Sequence, residues 1–218
     1  MSNWRHANET ENGLKPKQPA SFSEWARTRG EKITAPVARA LARLGLTPNI
    51  ATLLGLALNF GVAVVLALGY TTWGGWLLLL AGAFDALDGA LARQMNSKTR
   101  FGGFLDSTCD RYAEAAILLG LMIPFLRAGA QGQVQVILIF VTLVGSILIS
   151  YTRARAEGLG LECKVGLLTR LERFLIMAAA LILNQVTLAL WFLAVLTHFT
   201  ALQRIAHVWR ITRENDQM

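Results

Sequence analysis

After the first thirty residues the chain alternates between long apolar stretches and short polar or basic segments. The apolar stretches run over about residues 50–69, 73–91, 104–126, 134–151, 168–183 and 186–205. Each is continuously apolar rather than alternating, which predicts helices and not the strands of a membrane barrel. Runs near about 20 residues reach across the hydrocarbon core of a bilayer. The fifth stretch is short and opens on charged residues, so its start is the least sharply marked. The pattern therefore predicts an all-α integral membrane protein with six transmembrane helices.

The segments outside the spans divide differently. Residues 1–30 are polar, contain no apolar core of a cleavable signal peptide, and read as a cytoplasmic tail. Residues 31–46, "EKITAPVARALARLGL", alternate apolar and basic positions at helical spacing. They predict an amphipathic helix in the membrane interface, with Lys32, Arg39 and Arg43 near anionic headgroups. That helix belongs to a membrane domain over 31–210, followed by a short cytoplasmic tail over 211–218.

Composition supports the membrane reading: 54% of the 218 residues are hydrophobic and only 16% are charged, against about 25% charged in soluble domains. The basic residues sit before the first span and after the second, fourth and sixth. Lys98, Arg100, Arg153, Arg155, Lys164, Arg170, Arg173, Arg204, Arg210 and Arg213 share that side, and Arg127 lies opposite. The positive-inside rule then places both termini in the cytoplasm of a multi-pass cell-membrane protein. A net charge of +7 suits contact with membrane lipids; without a basic stripe interleaved with aromatics, no nucleic-acid partner is expected.

Two cysteines, Cys109 and Cys163, have no metal-ligand spacing. His6, His198 and His207 are far apart in sequence, and no P-loop or Ser/His/Asp order stands in a suitable context. The chemistry lies elsewhere.

It lies in "FDALDGALARQMNSKTRFGGFLDSTCDR", residues 84–111. Asp85 and Asp88 are three apart on the second span, and Asp106 and Asp110 four apart on the third, so each pair projects from one helix face. The short connection makes these helices antiparallel neighbours and brings the pairs together. Carboxylates crowded at low dielectric repel one another or take up protons. An arginine partner, a shared proton or a hard divalent cation relieves the repulsion. Four oxygen-donor side chains on rigid helices favour the cation, Mg²⁺ or Mn²⁺. Their depth, near the cytoplasmic ends of both spans, is that of lipid phosphates.

Asp85, Asp88, Gly89, Ala92, Arg93, Gly102, Asp106 and Asp110 stand at the spacing of the CDP-alcohol phosphotransferase signature without a mismatch. The chain resembles that family from the interfacial helix to about Arg210. The resemblance implies a six-helix membrane enzyme, a homodimer, that displaces CMP from a CDP-linked donor with an alcohol. It implies that Asp85, Asp88, Asp106 and Asp110 hold metal, two ions, with Asp110 also the general base. It further implies that Asn49, Thr52, Gly89, Arg93 and Thr99 contact the CDP portion of the donor. These roles suit the residues: Gly89 lets a nucleotide approach the helix, and the planar fork of Arg93 fits phosphate oxygens.

The acceptor is addressed by "SYTRARAEGLGLECKVGLLTRLERF" and "LQRIAHVW". Within the family these segments are similar to those of the bacterial phosphatidylinositol phosphate synthases. That similarity implies CDP-diacylglycerol as donor and inositol phosphate as acceptor, its phosphate held by Arg153, Arg170, Arg173 and Arg204. The sequence departs from the subfamily at Arg153, where lysine is common, and at Leu171, where proline is expected. Glu172 reads as orienting a neighbouring arginine, and Arg155 with Glu157 as a structural pair. Phosphatidylglycerophosphate synthase, whose "DPxAD" differs from the "DSTCD" found here, or another CDP-alcohol phosphotransferase is the alternative within the family; an unphosphorylated acceptor such as serine or free inositol would leave the arginines without a phosphate to bind. An ion-coupled transporter is the alternative from another class; it predicts an internal repeat and midplane charges, and the sequence shows neither.

Overall fold

Three threonines start three of the helices. Thr47 accepts a hydrogen bond from the Ile50 backbone N–H at 3.4 Å and is followed by Pro48, a residue pre-set for the first helical position. Thr99 accepts from the Gly102 N–H at 2.9 Å. Thr169 and Glu172 form a reciprocal capping box. The helices that follow are α1 (Pro48–Ala67), α3 (Arg100–Arg127) and α5 (Arg170–Ile182), and between them run α2 (Thr71–Gln94), α4 (Gln133–Gly158) and α6 (Val186–Asn215). A one-turn 3-10 helix, Gly129–Gly132, joins α3 to α4.

The computed structural model describes residues 45–95 and 99–215, together with positions 36, 39, 40, 42 and 43. The expected tail over 1–30 and most of the expected interfacial helix over 31–46 lie outside the described residues. Among the described residues there is no strand, and the all-α membrane architecture holds. Four helices of the described residues, α1, α2, α4 and α6, are long and apolar enough to cross a membrane. The remaining two differ for physical reasons: α3 carries charge through its first half, and α5 has only 13 residues, about 20 Å at 1.5 Å per residue.

Contacts at the two ends fix the helix directions. At one end the Arg127 guanidinium donates to the Ala67 carbonyl at 3.0 Å, Thr71 to Asn184 at 3.4 Å, and Gln135 meets Thr187 at 3.2 Å. These residues are the ends of α1, α3 and α5 and the starts of α2, α4 and α6. The opposite end therefore gathers the starts of the odd helices and the ends of the even ones, where the aspartates and most basic residues lie.

Within the bundle α1 packs along α3 and α2, α4 along α6, and α2 against α5. Two crossings depend on missing side chains. A Cβ at Gly120 would stand 2.2 Å from the Ala63 carbonyl oxygen, and one at Gly145 would stand 2.1 Å from Thr197 Oγ1. Gly75 likewise meets Ile182 and Leu181 of α5, so these small residues pack within one protomer. The interior is filled by Leu66, Leu78, Leu121, Ile139, Leu181 and Leu190. The outside is as apolar as the inside, with Leu58, Phe60, Leu119, Phe140 and Val195 exposed. Such a surface is untenable in water and natural against lipid. Exposed Tyr70 and Trp73 at one end and Phe101, Phe104 and Trp209 at the other sit at interface depth.

Candidate active site

The end of α2 and the start of α3 meet as their spacing predicts. One carboxylate oxygen from each of Asp85, Asp106 and Asp110 falls within 4.8 Å of the other two. Asp88 follows one turn after Asp85 on α2; its side chain lies outside the described ones. The described donors are all carboxylate oxygens, the set a hard divalent cation prefers. They come from two rigid helices, and so the residues present fit such a metal. Asp85, Asp106 and Asp110 are the side chains that would hold it.

The N-terminus of α1 lies against this cluster. A Cβ on Gly55 would lie 3.8 Å from Asp85 Oδ1, and one on Gly102 would lie 3.3 Å from Asn49 Oδ1 and 3.0 Å from Thr99 Oγ1. Asn49 and Thr99, forty-nine and ninety-nine residues into the chain, are thus brought together beside the first turn of α3. Thr52 is buried one turn deeper, its hydroxyl donating to the Pro48 carbonyl at 3.1 Å. Arg93 folds back along α2 so that its Nη1 would be 3.4 Å from a Cβ on Gly89. The five residues expected around the CDP group therefore fall on the α1, α2 and α3 side of the carboxylates.

The four expected phosphate-binding arginines fall into three different situations. Arg170, at the first position of α5, reaches into the carboxylate cluster: Nη1 is 2.9 Å from Asp85 Oδ2 and Nη2 is 2.6 Å from Asp110 Oδ1. Arg173, one turn deeper and only 4% exposed, is paired side-on with Glu114 through Nε at 3.1 Å and Nη2 at 3.3 Å. Arg204 is buried on α6 and donates to two backbone carbonyls, that of Val165 at 2.9 Å and that of Ile149. Arg153 is half exposed and pairs with Glu157 at 2.8 Å. Arg153 and Arg173 both lie within electrostatic reach of Arg204, so the four share one region without forming a single ring of open donors.

Two expected pairings change. Glu172 does not orient an arginine; its carboxylate accepts from the Thr169 backbone N–H at 2.6 Å and from the Thr169 hydroxyl, closing the cap of α5. Glu157 pairs with Arg153, four residues earlier on the same helix face, rather than with Arg155. Two residues of the site, Arg111 and Glu114, had no assigned role. Arg111 Nη1 donates to Glu114 Oε2 at 3.0 Å and to Ser150 Oγ at 2.6 Å, and Nη2 lies 3.9 Å from Asp110. Both sit in the charged part of α3, within the predicted third span, and an ionisable pair there is itself a signal of function or of obligatory partners.

Below the carboxylates a cavity of about 280 Å³ opens into the bundle. Asp85, Asp110, Glu114, Arg170 and Arg173 line its charged side, and Leu78, Ile117, Leu118 and Leu193 its apolar side. A carboxylate cluster, two arginine tiers and a cavity with one charged side thus converge at one end of a membrane bundle, which is what transfer between charged phosphates at a bilayer surface requires.

Comparison with known proteins agrees with this geometry. The sequence model of the CDP-alcohol phosphatidyltransferase family matches residues 45–203. The phosphatidylinositol phosphate synthase of Mycobacteroides abscessus is 39% identical over 182 residues, covering 80% of this chain and 82% of that protein. The archaetidylinositol phosphate synthase of Pyrococcus horikoshii is 36% identical, covering 78% and 87%. Among solved structures, the Mycobacterium tuberculosis phosphatidylinositol phosphate synthase with CDP-DAG bound superposes with a TM-score of 0.77 at 35% identity, covering 82% of this chain and 94% of that one. The same enzyme in complex with manganese and citrate gives a TM-score of 0.76 at 35% identity, covering 81% and 88%. The chain belongs to the CDP-alcohol phosphatidyltransferase family of membrane transferases, and within it groups with the phosphatidylinositol phosphate synthases.

Proposed function

We propose that the chain transfers a phosphatidyl group from CDP-diacylglycerol to a hydroxyl of inositol phosphate, giving phosphatidylinositol phosphate and CMP. The observation that carries this reading is the cavity that joins Asp85 and Asp110 to Arg170 and Arg173. It offers one place for a pyrophosphate and, beside it, guanidinium groups for a second phosphate. The names and bound donor of the relatives support the same choice of substrates.

In this reading Asp85, Asp88, Asp106 and Asp110 hold two Mg²⁺ or Mn²⁺ ions. When bound, a divalent ion polarises the phosphoryl group and neutralises charge on the leaving CMP. Asn49, Thr52, Gly89, Arg93 and Thr99 seat the cytidine diphosphate along the α1 and α2 side. Arg170 and Arg173 take the acceptor's phosphate from the α5 side, with Arg153 and Arg204 adding positive charge behind them. An acceptor phosphate on Arg170 stands next to Asp110, because that arginine already lies 2.6 Å from this carboxylate. Asp110 accepts the hydroxyl proton as the oxygen attacks the lipid-side phosphorus; the new P–O bond forms in line as the bond to CMP breaks. No covalent enzyme intermediate is formed.

The same proposal has the site and both termini facing the cytoplasm, following the basic residues, and the chain acting as a homodimer. CMP release from CDP-diacylglycerol by the purified protein with Mg²⁺ tests it, comparing inositol 3-phosphate, glycerol 3-phosphate, free inositol and serine. Selective release with inositol phosphate is expected. Preference for glycerol 3-phosphate would replace the acceptor while leaving the family and the carboxylate site in place.

A further inference from the structure

Two charged groups at the site, Arg111 and Glu114, are used by none of the steps above. Glu114 lies four residues after Asp110 on α3, hence one turn deeper, and it faces the cavity. Its two carboxylate oxygens are divided between two arginines. Oε1 accepts from Arg173 Nε, while Oε2 accepts from Arg173 Nη2 and from Arg111 Nη1. Arg111 also donates to Ser150 of α4, which in turn donates to the Ser146 carbonyl at 3.2 Å. Glu114 is therefore the point at which α3, α4 and α5 are tied together directly beneath the carboxylate cluster.

The geometry of the Arg173 pair is informative. Its Nε and one edge of Nη2 are turned to Glu114, and an arginine carries five N–H donors in a fixed planar fork. Held side-on, the guanidinium cannot rotate about its last bonds without breaking both hydrogen bonds. Its remaining edge, that of Nη1, then points in a set direction. The side chain is almost wholly buried, and a buried guanidinium without this partner would seek another anion. Asp85 and Asp110 line the same cavity, and Arg170 already contacts both.

We propose that Glu114 is a positioning residue that sets acceptor affinity: it clamps Arg173 side-on, keeps that arginine out of the carboxylate cluster, and presents the free guanidinium edge to the acceptor's phosphate. The inference rests on the reading of Arg173 as a contact to that phosphate. Glu114 itself touches neither the reacting phosphorus nor the metal ligands' oxygens, and its effect is confined to the acceptor side.

The test is a steady-state cycle of CMP release with the full-length protein in detergent or nanodiscs, varying inositol 3-phosphate at saturating CDP-diacylglycerol. The variants are Glu114→Gln, Glu114→Asp, Arg173→Ala and Glu114→Gln with Arg173→Ala. Binding of CDP-diacylglycerol is measured separately by calorimetry. Glu114→Gln is expected to raise the acceptor KM on the order of tenfold, with kcat and donor affinity within about twofold of wild type. Glu114→Asp, which keeps the charge but draws it back by one methylene, is expected to fall between them. In the Arg173→Ala background Glu114→Gln is expected to add little, because its effect passes through that arginine.

A raised KM in Arg173→Ala but not in Glu114→Gln or Glu114→Asp would overturn the positioning role. So would an equal loss of donor binding and turnover, the mark of a merely structural carboxylate. An unchanged KM in Arg173→Ala would instead remove the acceptor-phosphate reading on which the proposal rests. Where Glu114→Gln does not survive purification, Glu114→Asp carries the same comparison with a smaller expected change.

Discussion

Replacing Arg204 by alanine is the sharpest test of how the arginines of α6 and α5 divide their work. Arg204 is 5% exposed, and its guanidinium joins the Val165 carbonyl in the α4–α5 connection to the Ile149 carbonyl on α4. The connection passes directly over it: a Cβ on Gly166 would come within 3.3 Å of Arg204 Nε, and that glycine has a φ of 143°, a conformation side chains rarely adopt. Hydrogen bonds from a charged donor contribute about 1.5–3 kcal/mol each. The Ile149 carbonyl also receives the Thr152 hydroxyl at 3.1 Å and keeps a partner when Arg204 is lost. The change therefore amounts to one such bond in full and part of another, about 2–4 kcal/mol. For a chain of this size each kcal/mol corresponds to roughly 2–4 °C, so Arg204→Ala is expected to lower the unfolding midpoint by about 5–15 °C. Tryptophan fluorescence of the detergent-solubilised protein, heated with and without CDP-diacylglycerol, reads the shift. Arg204→Lys is expected to recover less than half, since one ammonium cannot span both carbonyls as the fork does. A midpoint within about 1 °C of wild type, against the 5–15 °C worked out above, would refute a tethering role. A rise in acceptor KM without such a shift would return Arg204 to direct phosphate contact.

The remaining expectations concern the chemistry and the packing. Asp110→Asn should lower kcat by a hundredfold or more, about the value of a general base, while CDP-diacylglycerol still binds in calorimetry; full activity would remove the base assignment. Arg93→Ala should raise the KM for the CDP donor with every acceptor tested and leave the acceptor KM unchanged. Stripping divalent ions with a chelator should abolish CMP release, and Mg²⁺ or Mn²⁺ should restore it where an equal concentration of Na⁺ does not. Gly120→Val should prevent α1 and α3 from meeting, because its Cβ would stand 2.2 Å from a backbone oxygen that has no room to move; a cost of about 3 kcal/mol or more is expected, read as loss of monodisperse protein on size exclusion.

Much of this molecule is written in short-range pattern. Continuous apolar runs with polar breaks mark the helices, because a backbone in lipid must satisfy its own hydrogen bonds. The threonine before Pro48 and the one before Arg100 mark where two of them start. Asp85 on one helix and Asp106 with Asp110 on the next converge because a spacing of three or four keeps residues on one face and a short link keeps the helices adjacent. Short-range spacing left choices open even for close partners: Glu157 pairs with Arg153, four residues earlier, and not with the expected Arg155, and Glu172 caps Thr169 instead of orienting an arginine.

Partners across helices were not legible, since periodicity gives a face but not what that face meets. Whether Arg170 turns to the aspartates, Arg173 to Glu114 and Arg204 to carbonyls depends on how α3, α4, α5 and α6 are set side by side. That setting is decided by close crossings such as Gly120 on Ala63 and Gly145 on Thr197. The sequence by itself determined the six helices of the described residues, the convergence of Asp85 with Asp106 and Asp110, and the family. Tertiary packing alone decided which arginine answers which acid, because in a low-dielectric interior each buried charge takes the partner that geometry leaves within reach.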